Sequence, residues 1–116
     1  MNRTCLHCAL ARALRAEAGA IAERGLAITF TRSDPVWIPV SGVRIYRDVR
    51  RLLQRALAAS IGKSMKLAVV DLRGKSHVEV IATVTTAGGT RVLGCAFPRH
   101  VASTLAGGFV EGVVLG

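Results

Sequence analysis

"RIYRDVRRLLQRALAAS", residues 44–60, is the most regularly patterned stretch of the chain. Ile45, Val49, Leu52, Leu53, Ala56 and Leu57 recur at helical intervals and so share one side of a helix. Arg44, Arg47, Arg51 and Arg55 recur at the same intervals, rotated well away from that apolar side. Such a helix closes a core with one side and presents cations on the other. Ser41 is placed to cap its start and Gly62 to end it.

Upstream, Leu6, Leu10, Leu14, Ala18 and Ile21 form another apolar stripe, predicting one helix with Thr4 as its cap and Gly25 in the left-handed position beyond Arg24. Leu26, Ile28 and Phe30 then alternate with Ala27, Thr29 and Thr31, the period of a half-buried strand. "RSDP" reads as a turn. Val36, Ile38 and Val40 alternate again, and Pro39, lacking a donor, confines that strand to an edge.

Downstream, strands are expected at 66–72, 77–85 and 90–97, joined by the glycine-bearing turns "RGKS" and "AGG". Turns this short connect antiparallel neighbours and cannot carry a parallel crossover. Pro98 stops the last strand, and a short helix is expected over 101–105 within the loosely patterned tail 98–116. The order helix, two strands, helix, three strands predicts an α+β two-layer sandwich. Its sheet is mixed, mostly antiparallel, of about five strands, with two to three helices on one face.

With 116 residues, the chain has the length of a single domain, taken as 1–116, and its 51% hydrophobic content supplies a core. Only 4% of residues are aromatic, so that core rests on Ala, Val, Leu and Ile. Sixteen Lys and Arg against seven acids give a net charge of +9, which favours a polyanionic partner: nucleic acid, an acidic protein surface or a phosphorylated ligand. The same excess is also explained by base composition and solubility alone. No basic leader with a long apolar core is present, and the Gly-rich stretch 101–116, interrupted by Glu111, is too short to span a bilayer. A cytoplasmic, reducing location without membrane attachment is the expectation.

Four stretches, "AEAGAIAERGLAITF" (16–30), "VWIPVSGVRIYRDVRRLLQRALAAS" (36–60), "IGKSMKLAVV" (61–70) and "HVEVIATVTTAGG" (77–89), stand in one order, the third continuing the second without a gap. In that order they resemble the ATP-binding domain of bacterial sensor histidine kinases, a fold shared with DNA gyrase, over residues 9–90. The resemblance implies a nucleotide site at the central helix and at the turn after "HVEVIATVTT". In the family, two asparagines of that helix hold Mg²⁺ against the triphosphate. Aligned through "LLQRAL", those positions are Arg51 and Arg55, and a guanidinium has no acceptor with which to ligate a cation. A shifted register puts Ala58 and Gly62 there instead. The adenine-reading Asp falls on Thr86, leaving only Gly88 of the family's glycine turn. No stretch matches the mobile lid, the second glycine box or a phosphoacceptor helix. A degenerate, shortened member is therefore implied, one without ATP or Mg²⁺ as cofactor, since phosphoryl transfer needs an oxygen-liganded metal on the triphosphate.

The remaining constellations are sparser. Cys5-x-x-Cys8, with His7 between, is a lone CxxC; Zn²⁺ held by Cys5 and Cys8 would need further ligands, such as Cys95 and His100. A redox pair at a helix start is the other chemical reading, and plain packing competes with both. Ser60, Ser64, Ser76 and Ser103 lie in no nucleophile motif, and "GKS" at 62–64 lacks the upstream glycine of a phosphate loop.

Two functions from different classes are consistent with these residues. One is a non-catalytic signalling module with a kinase-like fold, docking an acidic or response-regulator-type protein through Arg44, Arg47, Arg51 and Arg55. The other is a small nucleic-acid binder using that helix together with Lys63, Lys66 and Lys75. A solvated helix face is the plain alternative for the arginines, and a homodimer through the tail or an edge strand is also open.

Overall fold

In the computed structural model, residues 3–31, 34–72 and 74–100 are described. Along the chain they form β1 (Thr4–Cys5), α1 (Leu6–Ala16), α2 (Ala18–Glu23), β2 (Ala27–Thr31), β3 (Trp37–Ile38), α3 (Gly42–Ala59), β4 (Ser64–Val70), β5 (His77–Thr86) and β6 (Gly89–Pro98). The architecture is the expected α+β two-layer sandwich, with helices on one face of a mixed, mostly antiparallel sheet.

α3 is the spine of the helical layer. Ser41 caps it as expected, its Oγ accepting from the Arg44 N–H at 3.2 Å. Ile45, Val49, Leu52, Leu53, Ala56 and Leu57 are its buried residues, the same six that the periodicity put on one side. Each buried leucine contributes on the order of 2 kcal/mol. The helix ends at Ala59, before Gly62, with Ser60 already extended. Gly62 serves a different purpose: a Cβ there would stand 3.1 Å from the Thr85 Cβ, in the close approach that lets the Ile61 N–H reach the Thr85 carbonyl.

The main sheet has the order β2-β4-β5-β6. β2 and β4 are parallel, linked by a crossover that contains α3, whereas β4–β5 and β5–β6 are antiparallel hairpins. Alternation sets the two faces. Met65, Leu67 and Val69 of β4, Val78, Val80, Ala82 and Val84 of β5, and Leu93 and Phe97 of β6 all point into the core beneath the helices. Lys66, Ile81, Val92 and Gly94 lie on the opposite, open face. At the β5–β6 turn Gly89 has φ +112, a conformation that a side chain disfavours.

The sheet expected to hold about five strands contains four; the strand around 36–40 is only Trp37–Ile38 and pairs with Thr4–Cys5 in a separate two-stranded sheet. Pro35 and Pro39 flank it, which limits its ladder. Thr4 accordingly belongs to a strand, and the N-cap of α1 is Cys5, whose Sγ accepts from the Cys8 N–H at 3.3 Å. The single N-terminal helix also divides at Glu17, whose carboxylate is drawn towards α3. After α2, the Leu26 N–H bonds to the Ile21 carbonyl and the Gly25 N–H to that of Ala22, a Schellman closure with Gly25 at φ +60. The helix expected over 101–105 and the tail beyond it lie outside the described residues, as do Arg32 and Ser33 of the "RSDP" turn and Arg73 of "RGKS". Among the described residues, no helix is long and apolar enough to cross a membrane.

Candidate partner-binding surface

Arg44, Arg47, Arg51 and Arg55 are all exposed along the outward side of α3. Arg44 approaches Asp48 one turn on, at 3.8 Å. No ion pair joins Arg47, Arg51 or Arg55 to a carboxylate among the described residues, so their charge faces outward unneutralised. This row results directly from the helical period that buries Val49, Leu52 and Leu53 behind it.

A second row, Tyr46, Arg50 and Gln54, runs beside the first towards the α1–α2 junction. Arg50 donates through Nε to Glu17 Oε2 at 2.9 Å, and through a terminal nitrogen to the same oxygen at 2.9 Å. Gln54 donates to that oxygen at 3.3 Å. Arg50 also donates to the Tyr46 hydroxyl at 3.3 Å and lies over the Tyr46 ring, 5.5 Å from its centre. Hydrogen bonding to Glu17, followed by the electrostatic influence of Tyr46, raises the guanidinium's pKa further. Glu17 is thereby a satisfied buried charge that ties the first two helices to α3. Val43, Tyr46, Arg47, Arg50, Arg51 and Gln54 enclose a shallow recess of about 380 Å³.

On the other flank a groove of about 230 Å³ separates α3 from β6, lined by Asp48, Arg51, Leu52, Arg55, Gly94 and Cys95. Burial, and secondarily the charge of Asp48, pushes the Cys95 thiol up to about 12. Arg51 thus borders both recesses and Arg55 the groove. Neither side chain carries an acceptor atom, and the one carboxylate in the groove, Asp48, already faces Arg44.

Thr86 and Gly88 do not join these arginines. They sit in the β5–β6 turn, where the Thr86 hydroxyl donates to the Gly89 carbonyl at 2.8 Å and accepts from the Gly88 N–H at 3.2 Å. The Thr86 side chain is spent on closing its own hairpin, and only two residues separate β5 from β6.

Cys5 and Cys8 are brought together at the start of α1. Cys95 and His100 do not complete a site with them: no group of three or more His, Cys, Asp or Glu able to hold a metal ion occurs among the described residues. His7 instead accepts from the Val36 N–H through Nδ1 at 3.3 Å and meets the Phe30 ring edge-on. Sequence reasoning missed Glu17, Tyr46, Arg50, Gln54 and Asp48. The spacing of Tyr46, Arg50 and Gln54 was a visible second row, but their partner Glu17 lies in another helix and leaves no local signal.

Helices layered on one face of a mixed four-stranded sheet, with the central helix over the last hairpin, define the fold class of histidine-kinase catalytic, or ATPase, domains. Among solved structures, the catalytic domain of histidine kinase ThkA in a nucleotide-free form superposes with a TM-score of 0.66 at 15% identity, over 86% of this chain and 99% of that one. A second nucleotide-free form of it gives 0.59 at 19% identity, over 72% and 56%. The Acinetobacter baumannii histidine kinase AdeS gives 0.61 at 14% identity, over 73% of this chain and 42% of that one, so the present chain spans less than half of that structure. No protein-family model matches the sequence, and no curated protein matches it. At these identities the likeness establishes the fold.

Proposed function

We propose that this chain is a non-catalytic module with the histidine-kinase ATPase fold, acting in bacterial signalling by docking an acidic protein surface on the arginine side of α3. The observation that carries this reading is the row Arg47, Arg51 and Arg55, exposed and unneutralised on the helix that the resemblance assigns to nucleotide and metal. Guanidinium groups replace the amides that would hold Mg²⁺, the hydroxyl of Thr86 is engaged within its own turn, and a two-residue hairpin joins β5 to β6 without room for a lid. Mg²⁺–ATP does not fit that donor set. Planar forks spaced one turn apart suit carboxylates on a protein partner.

The distribution of charge favours protein over nucleic acid. Lys66 lies on the open face of the sheet, across the sheet from the arginines, so it does not share their track. Titration of the labelled chain with acidic receiver domains, and separately with duplex DNA, tests this by NMR. Amide shifts confined to 44–55 with a receiver domain, abolished in Arg51→Glu/Arg55→Glu, are the expected outcome. Insensitivity to that double reversal counts against the reading. Tighter binding to DNA, weakening steeply with salt, favours the nucleic-acid alternative.

A further inference from the structure

We propose that Cys5 and Cys8 form a dithiol that is reversibly oxidised to an intrachain disulfide by low-molecular-weight disulfides such as glutathione disulfide. The geometry is that of a helix cap built from sulfur. In a capping box the N-cap side chain accepts the N3 N–H while the N3 side chain reaches back over the cap. Cys5 is the N-cap of α1 and Cys8 its N3 residue; the Cys5 Sγ accepts from the Cys8 N–H at 3.3 Å. Both ends of the box are thiols, held one turn apart by the Cys8 N–H on the Cys5 Sγ.

Their surroundings differ in the way a two-step exchange needs. Cys8 is exposed and meets the oxidant, whereas Cys5 is buried and reaches only its neighbour. In the first step the Cys8 thiolate attacks one sulfur of glutathione disulfide. The oxidant's S–S bond breaks, one glutathione leaves as thiolate, and a mixed disulfide remains on Cys8. In the second, Cys5 gives up its proton, attacks the Cys8 sulfur and expels the second glutathione. Two electrons pass from the cysteines to the oxidant, and two glutathione thiols carry away the two protons. The bond forms inside the clasp that holds the N-terminus. Cys5 pairs with Trp37 across β1–β3, the Leu6 N–H bonds to the Val36 carbonyl at 2.8 Å, and His7 accepts from the Val36 N–H. The redox state of the pair is therefore felt by segment 36–38. The hydrogen bond to Cys5, above all, raises the pKa of the Cys8 thiol, so exchange accelerates with rising pH.

The test uses the whole chain, excess glutathione disulfide, an acid quench and mass spectrometry after alkylation in denaturant. The wild type is expected to lose two hydrogens in a Cys5–Cys8 linkage and so to take up a single alkyl group, on Cys95, where the reduced chain takes up three. Cys5→Ser keeps a capping oxygen and the fold, and is expected to stall as the Cys8–glutathione adduct. That adduct should disappear at least about tenfold faster in wild type than in the variant. Accumulation of the same adduct in both proteins, a linkage to Cys95, or persistence of both thiols in wild type would each overturn the proposal. Removing the Arg51 and Arg55 charges should leave this reaction unchanged, which separates it from the docking surface.

Discussion

Ser60 and Glu17 are the buried polar residues among those described, and they are satisfied to opposite degrees. Glu17 accepts from Arg50 and Gln54, whereas Ser60 Oγ has no partner although its carbonyl accepts from Arg24. A buried hydroxyl without a partner costs desolvation and returns nothing. Ser60→Ala is therefore expected to leave stability unchanged or to raise it by up to about 1 kcal/mol in urea unfolding. Arg50→Ala strands the Glu17 carboxylate in the interior, and its melting temperature should fall by several degrees, well beyond that of Arg47→Ala on the neighbouring exposed row. Cys95 adds a pH dependence. With its thiol at about 12 against an ordinary 9.0, the folded state keeps a proton that the unfolded chain loses. Proton binding then favours the folded state less as pH climbs, so stability declines from about pH 9 towards 12. Cys95→Ala should flatten the fall in melting temperature between about pH 8 and pH 10; equal slopes for the two proteins would contradict this account.

At the scale of elements, legibility followed locality. α3 could be read almost to the residue, because its cap, its apolar stripe and its arginine row all recur within one turn. The three final strands were readable for the same reason, each bounded by glycine turns. β1 was not, since two residues carry no period and Thr4–Cys5 is a strand only because Trp37–Ile38 comes alongside. The division at Glu17 was equally hidden: the apolar stripe continues across it, and the residues that bind its carboxylate lie in another helix. Of the candidate surface, the arginine row was legible and the acid-bound row beside it was only half so. The two faces of α3 differ in what substitution does to them. Leu53→Ala should cost about 3 kcal/mol in urea unfolding, because Leu53 is fully buried between helix and sheet. Arg51→Ala/Arg55→Ala should leave the unfolding midpoint unmoved while weakening partner binding. A collapse in stability would make those arginines structural and remove the basis for a docking surface.

At the scale of the whole molecule, the chain has the two-layer framework of histidine-kinase catalytic domains, and its central helix presents an exposed row of arginines. The framework depends on core positions that tolerate any well-fitting aliphatic residue, which explains how it is shared at 14–19% identity. A metal-bound triphosphate depends instead on a few acceptor atoms at fixed places, and under the proposed reading guanidinium groups and a hairpin-closing hydroxyl stand at those places. The fold could therefore be read from pattern and order, but the partner could not, because cationic side chains name the sign of what they bind and little else. Calorimetric titration of the chain with ATP, with and without Mg²⁺, tests the central claim most directly. The expected result is no saturable binding that depends on Mg²⁺, with at most weak, salt-sensitive binding of the free nucleotide anion. Saturable Mg²⁺-dependent binding in the micromolar range would contradict the account.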